Sequence, residues 1–166
     1  GGVMEAALRT AKDKIEQKSL DDIEYTEIRG FKGVKESVVN IAGTDHRIAV
    51  INGANNFFKF VEEGNLAKGY TIIEVMDCQG GCINGGGQPF VDALTREKVD
   101  YVKLRADVLY NQDEKLLPKR KSHENEALKK MYEVLGCKAC EGIAHEIFHT
   151  EYKDRRYKSD KRGNVI

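Results

Sequence analysis

Two of the chain's four cysteines, Cys78 and Cys82, stand in the stretch VMDCQGGCINGGGQP, residues 75–89. Thiolates are soft ligands that suit zinc and iron–sulfur clusters. Glycines around them let the backbone approach a bulky inorganic core, and their amides can point at sulfur. C-x-x-x-C supplies two ligands, whereas zinc or a four-iron cluster takes four. The second cysteine pair, Cys137 and Cys140, could complete such a set, and so could another chain. Two rival readings fail on residue type. A phosphate loop of the Walker kind needs Lys and a hydroxyl after its last glycine. Gly81 and Gly86 have that loop's spacing, but Gly87 and Gln88 follow. A plain hinge gives no reason for two thiols directly after an apolar strand.

Other residues carry weaker signals. HEIFH, residues 145–149, matches the zincin pattern, in which His145 and His149 share a helix face and Glu146 acts as base. No third ligand stands out downstream. Cys137 and Cys140 with His145 and His149 put four ligands within 13 residues, enough for a small zinc or extra-cluster site. The bland alternative is two incidental thiols at a helix start. His123 sits at an expected helix start with Ser122 or Asn125 as cap; it could serve electron or proton traffic, but reads first as fixing the C-terminal region to the main body. Arg120, Glu124 and Asn125 read the same way. The charge runs KDKIEQK and KDRRYKSDKR are solvated faces.

Periodicity names the elements that position these groups. MEAALRTAKDKIEQ (4–17) has Met4, Ala7, Leu8, Ala11 and Ile15 at helical spacing. YTEIRG and VKESVVNIAG look like short strands, and HRIAVI is an apolar strand. ANNFFKFVEEG is a helix ending near Gly64, and YTIIEVM (70–76) is a strand feeding the cysteine loop. After about residue 95 the pattern turns helical: 99–116, NEALKKMYEVLG closed by Gly136, and 140–157. The fold expected is α/β, a helix-flanked mixed sheet over residues 1–95, followed by a helical appendage over 100–157. Residues 158–166 read as a frayed tail.

Composition bounds the partners. Among 166 residues, 27 basic and 27 acidic side chains cancel, which argues against a dedicated nucleic-acid or membrane-surface binder. No apolar run reaches the ~18 residues of a membrane span. Close cysteine pairs behind a start without signal-peptide character favour a reducing, cytoplasmic setting.

With these residues in view, EVMDCQGGCINGGGQP resembles the last cysteine motif of the FeFe-hydrogenases. GGVMEAALRT, IRGFKGVKE, RKSHEN and HEIFHTEY resemble further segments of that family, in family order and over nearly the whole chain. The resemblance implies half of a domain built round the H-cluster, a 4Fe-4S cubane joined to a di-iron unit. It implies that Cys78 and Cys82 ligate the cubane, with the Cys82 sulfur bridging to the di-iron unit. Met76 would line the di-iron pocket, and Gly1 and Gly2 would form part of its apolar wall. The implied reaction is reversible reduction of protons to dihydrogen. The family's other two cluster cysteines lie in motifs upstream of GGVMEAALRT, so an upstream half, in the same or a separate chain, is an implied partner. A ferredoxin or NAD-linked subunits would carry the electrons. From about residue 100 the helices resemble the family's small-subunit segment. Asp77 and Gln79 depart from the family's usual Ala and Pro, and a carboxylate beside an anionic cluster disfavours its reduced state. Two alternatives stand beside this reading: a related iron–sulfur assembly protein without hydrogen chemistry, and a non-catalytic binding module.

Overall fold

The computed structural model describes residues 2–19, 25–115 and 121–151. Among these residues are six helices and a three-stranded sheet in the order β1-β2-β3. Helix α1, Gly2–Glu16, turns Met4 and Leu8 to one side, as a spacing of four requires. Both are buried against the sheet.

The expected strand at YTEIRG is instead a single helical turn, Thr26–Ile28. Tyr25 and Ile28 both point into the core. Residues three apart share a side in a turn, whereas in a strand they face opposite ways.

Strand β1, Val34–Ile41, pairs antiparallel with β2, Thr44–Asn52, through the two-residue turn Ala42-Gly43. Both turn residues have positive φ, 50° and 82°, the backbone that matches strand twist in a tight hairpin. Helix α2, Ala54–Glu62, then carries the chain to β3, Ile72–Met76, which lies parallel to β2.

Central β2 is buried on both faces. Ile48 and Val50 join Met4, Leu8, Ile28 and Val39 under α1, while Ala49 and Ile51 join Phe60 of α2. Each wholly buried Ile or Val contributes about 1.5–3 kcal/mol, so β2 anchors both layers.

Helix α3, Ala93–Lys98, was not anticipated, although its cap is written in the sequence. Asp92 accepts from the Thr95 amide at 3.0 Å and from its hydroxyl at 2.7 Å. The hydroxyl bond, above all, holds the Asp92 carboxyl below its usual range. Helix α4 follows at Tyr101–Lys115.

The chain divides into two compact units, Gly1–Ser122 and His123–Ile166. Helix α4 belongs to the first, where Ala106 is buried and Asp113 pairs with Arg9 and Arg29. In the second unit Asn125 caps α5, Glu126–Leu135, accepting from Ala127 and Leu128 at 2.9 and 3.3 Å. Gly136 closes that helix with φ 63°. Helix α6 runs only from Gly142 to Phe148, shorter than the helix read over 140–157, because His149 turns extended. Arg120 and the expected tail lie outside the described residues. No described helix is long and apolar enough to cross a membrane.

Candidate functional site

Strands β2 and β3 run parallel, so their carboxyl ends meet on one side of the sheet, where open α/β sheets place their ligands. Asn52 and Met76 are register partners there. Gly53, at φ 92°, donates its amide to the Met76 carbonyl at 2.7 Å and starts α2. Asp77 leads on into the cysteine loop, its carbonyl taken by the Ala54 amide at 3.3 Å.

The loop is a chain of tight turns. The Gly81 amide donates to the Cys78 carbonyl at 3.0 Å, with Gly80 and Gly81 at φ 83° and 76°. A helical turn, Cys82–Asn84, follows, and the Gly85 amide returns to the Cys82 carbonyl at 3.1 Å. The conformation at Gly81, φ 76° and ψ −160°, is one that only glycine adopts readily. A Cβ there would lie 3.2 Å from the Met76 sulfur. A Cβ on Gly85 would lie 3.6 Å from Cys78 Sγ. The glycines therefore clear space beside both sulfur-bearing side chains. Cys78 and Cys82 are free thiols and exposed.

A cavity of about 450 Å³ opens against this loop, bounded by Gly2, Asn52, Met76, Gly81 and Cys82. The structure thus brings Gly2, Met76 and Cys82 to one space. Gly1 lies outside the described residues. Asn52 is buried, and its Oδ1 has no hydrogen-bond partner among the described residues. Sequence reasoning missed it, though a polar residue ending the apolar run HRIAVIN was a visible signal.

The far side of the cavity is charged. Glu5 accepts from Arg9 at 3.0 Å and from Arg29 at 2.8 Å, and Asp113 of α4 accepts from Arg29 at 2.7 Å. The Arg29 guanidinium sits 4.9 Å from the centre of the Tyr110 ring. The hydrogen bond to Glu5 is the main reason that the Arg29 pKa is raised. Lys35 and Glu74 flank Val50 on the two neighbouring strands. Burial lowers the Lys35 pKa, and its ammonium donates to the Gly30 carbonyl at 3.1 Å.

The C-terminal residues are arranged differently. His145 and His149 stack ring on ring at 4.6 Å. Cys137 follows the end of α5, and Cys140 lies in a turn at φ 63°. No three of Cys137, Cys140, His145 and His149 place ligand atoms within 4.8 Å of one another. Neither Cys137 nor Cys140 is in a disulfide.

The donor set suits one side of a thiolate-bound cluster: two soft sulfurs, room made by glycines, and a buried acceptor with no internal partner among the described residues. It does not close a four-thiolate site by itself.

Residues 1–86 match the family described as iron only hydrogenase large subunit, C-terminal domain, and residues 99–155 match iron hydrogenase small subunit. Iron hydrogenase 1 of Clostridium pasteurianum is 58% identical over 154 residues, covering 92% of this chain and 27% of that protein. The NADP-reducing hydrogenase subunit HndD of Solidesulfovibrio fructosivorans is 36% identical over 94% of this chain and 26% of its own length. A probable cytosolic Fe–S cluster assembly factor of Drosophila virilis is 28% identical over 92% of this chain and 31% of its own. A solved variant of FeFe-hydrogenase HydA1 from Chlamydomonas reinhardtii superposes with TM-score 0.65 at 30% identity, over 90% of this chain and 44% of that one. Another solved structure, at TM-score 0.62 and 28% identity, concerns oxygen inactivation of FeFe-hydrogenase through its H-cluster 2Fe subcluster; it covers 90% of this chain and 43% of that one. The chain spans about a quarter of the length of these two hydrogenase relatives from Clostridium and Solidesulfovibrio. On the matched families and the 58% identity, the chain belongs to the iron-only hydrogenases, joining the C-terminal domain of their large subunit to their small-subunit segment.

Proposed function

We propose that this chain is the C-terminal part of an FeFe-hydrogenase catalytic unit that reversibly reduces protons to dihydrogen at an H-cluster. One observation carries the reading: Cys78 and Cys82 stand free on a glycine loop that adjoins a cavity edged by Met76 and Gly2. In this reading Cys78 and Cys82 are two of the four cysteine ligands, and an upstream segment supplies the others. When bound, the cluster supplies the redox chemistry that joins protons and electrons. The chain's own residues shape its seat. Met76 would offer a soft, unionised thioether to the di-iron unit, and Gly2 would keep the wall small and apolar. Residues 1–95 act as the large-subunit lobe and 100–157 as the small-subunit-like segment. A ferredoxin or NAD-linked subunits deliver electrons, and the cytoplasm keeps the thiols reduced.

The degree of similarity favours hydrogenase over the assembly-protein alternative, 58% identity against 28%. The test grafts this chain in place of the corresponding quarter of the Clostridium pasteurianum relative, with maturation machinery present. The expected result is iron uptake, infrared bands of CO and cyanide, and hydrogen evolution. Iron uptake without those bands would instead support an iron–sulfur protein lacking hydrogen chemistry.

A further inference from the structure

We propose that Arg105, on α4, is a positioning residue that holds the Cys78–Cys82 loop in the shape in which both sulfurs can bind one metal core. The proposal rests on the reading of this loop as a cluster seat.

Beyond Asp77, whose carbonyl the Ala54 amide holds, the loop's backbone hydrogen bonds are local. Gly81 to Cys78, Asn84 to Gly81, Gly85 to Cys82 and Gln88 to Gly85 each join residues three apart. Bonds of that kind shape turns but do not fix the loop to the protein body. Helix α4 provides that connection. Arg105 donates from Nη1 to the Ile83 carbonyl at 3.0 Å and from Nη2 to the Pro89 carbonyl at 2.7 Å. Its rigid fork therefore spans the loop and closes it between residues 83 and 89. The Tyr101 ring lies 5.0 Å from the guanidinium. The Tyr101 hydroxyl donates to Asn84 Oδ1 at 3.1 Å, and Asn84 Nδ2 donates to the Gln79 carbonyl at 3.0 Å. Val102 also approaches the loop: a Cβ on Gly80 would lie 3.6 Å from its side chain.

The consequence falls on Cys82. Its own carbonyl is held by the Gly85 amide and, at 3.3 Å, by the Gln88 side chain. The next carbonyl, that of Ile83, is held by Arg105. The backbone carrying the Cys82 sulfur is thus pinned by a helix of the small-subunit-like segment. Lysine keeps the charge but offers a single ammonium, which cannot reproduce a fork to two separated carbonyls.

The experiment uses the full chain with Cys137→Ser and Cys140→Ser, leaving Cys78 and Cys82 as its only thiols. Cadmium ion is the probe, read by the ultraviolet thiolate-to-metal band. Amide exchange is followed at Gly81, Asn84, Gly85 and Gln88. Arg105→Ala and Arg105→Lys are both expected to weaken cadmium binding about tenfold, the scale at which residues supporting metal ligands act. Both are expected to speed loop exchange while β2 amides stay protected. Unchanged exchange and affinity in Arg105→Ala would overturn the proposal. So would full rescue by Arg105→Lys, which would make charge alone the cause, or loss of β2 protection, which would make Arg105 a general fold residue. If the completed hydrogenase takes up no cluster while the Arg105 effects persist, the cluster reading falls and the loop-positioning role stands.

Discussion

Gly81 shows how much a single residue decides at this site. Its backbone occupies a region that side chains rarely adopt, and a Cβ there would crowd the Met76 sulfur at 3.2 Å. Gly81→Ala is expected to cost about 1–3 kcal/mol in stability from backbone strain alone, measurable as a lowered urea midpoint. The same change crowds Met76, so its local effect should exceed that of an alanine at Gly86, whose Cβ meets nothing within 4 Å. An equal loss at both positions would mean that the loop tolerates side chains generally. The two cysteines were readable from their spacing. Asn52 was visible as the polar end of an apolar run, but only strand register sets it opposite Met76.

At the scale of elements, α1 and α4 are tied by charge as well as by packing. Glu5 and Arg9 on α1, Arg29 after the turn, and Asp113 on α4 form one connected set of two cations and two anions. Removing Glu5 leaves two buried guanidinium groups to share the single carboxylate of Asp113 within this set. Glu5→Ala is expected to destabilise by about 3 kcal/mol, read from denaturant unfolding. Beneath the same helix, burial raises the Tyr25 hydroxyl pKa from 10.0 to about 12. The folded state then keeps a proton that the unfolded chain has already lost. The Tyr25 contribution is therefore complete below pH 10 and falls away as pH rises from about 10 to about 12. Lys35 works in the opposite sense, because its lowered pKa leaves the unfolded chain holding more protons below 10.5. Tyr25→Phe should flatten the alkaline loss while changing little at neutral pH, since the hydroxyl has no hydrogen-bond partner among the described residues. Stability curves of the two proteins that stay parallel from pH 9 to 12 would refute this.

For the molecule as a whole, the proposed cluster seat supplies two of the four cysteine ligands. The chain alone is expected to evolve no hydrogen, because two thiolates cannot hold a four-iron cubane. Hydrogen evolution by the isolated chain would contradict that account. In the protein completed by an upstream segment, Cys82→Ser should abolish hydrogen evolution and the infrared bands together. Retained activity would remove Cys82 from the ligand set.

Taken alone, the sequence determined the chemistry-bearing residues and most of the elements. Soft ligands at short spacing, glycines beside them, and apolar periods of two and 3.6 are local properties, legible without coordinates. The cap of α3 was equally local, written in Asp92 and Thr95, and was passed over. Tertiary structure decided what depends on pairing across distance. The segment YTEIRG became a turn because Tyr25 and Ile28 must reach one core. Asn52 entered the site through parallel pairing of β2 with β3. Arg105 met the cysteine loop only because α4 packs beside it, more than 20 residues on from Cys82. Such partners are chosen by geometry between separate segments, and no local spacing encodes them.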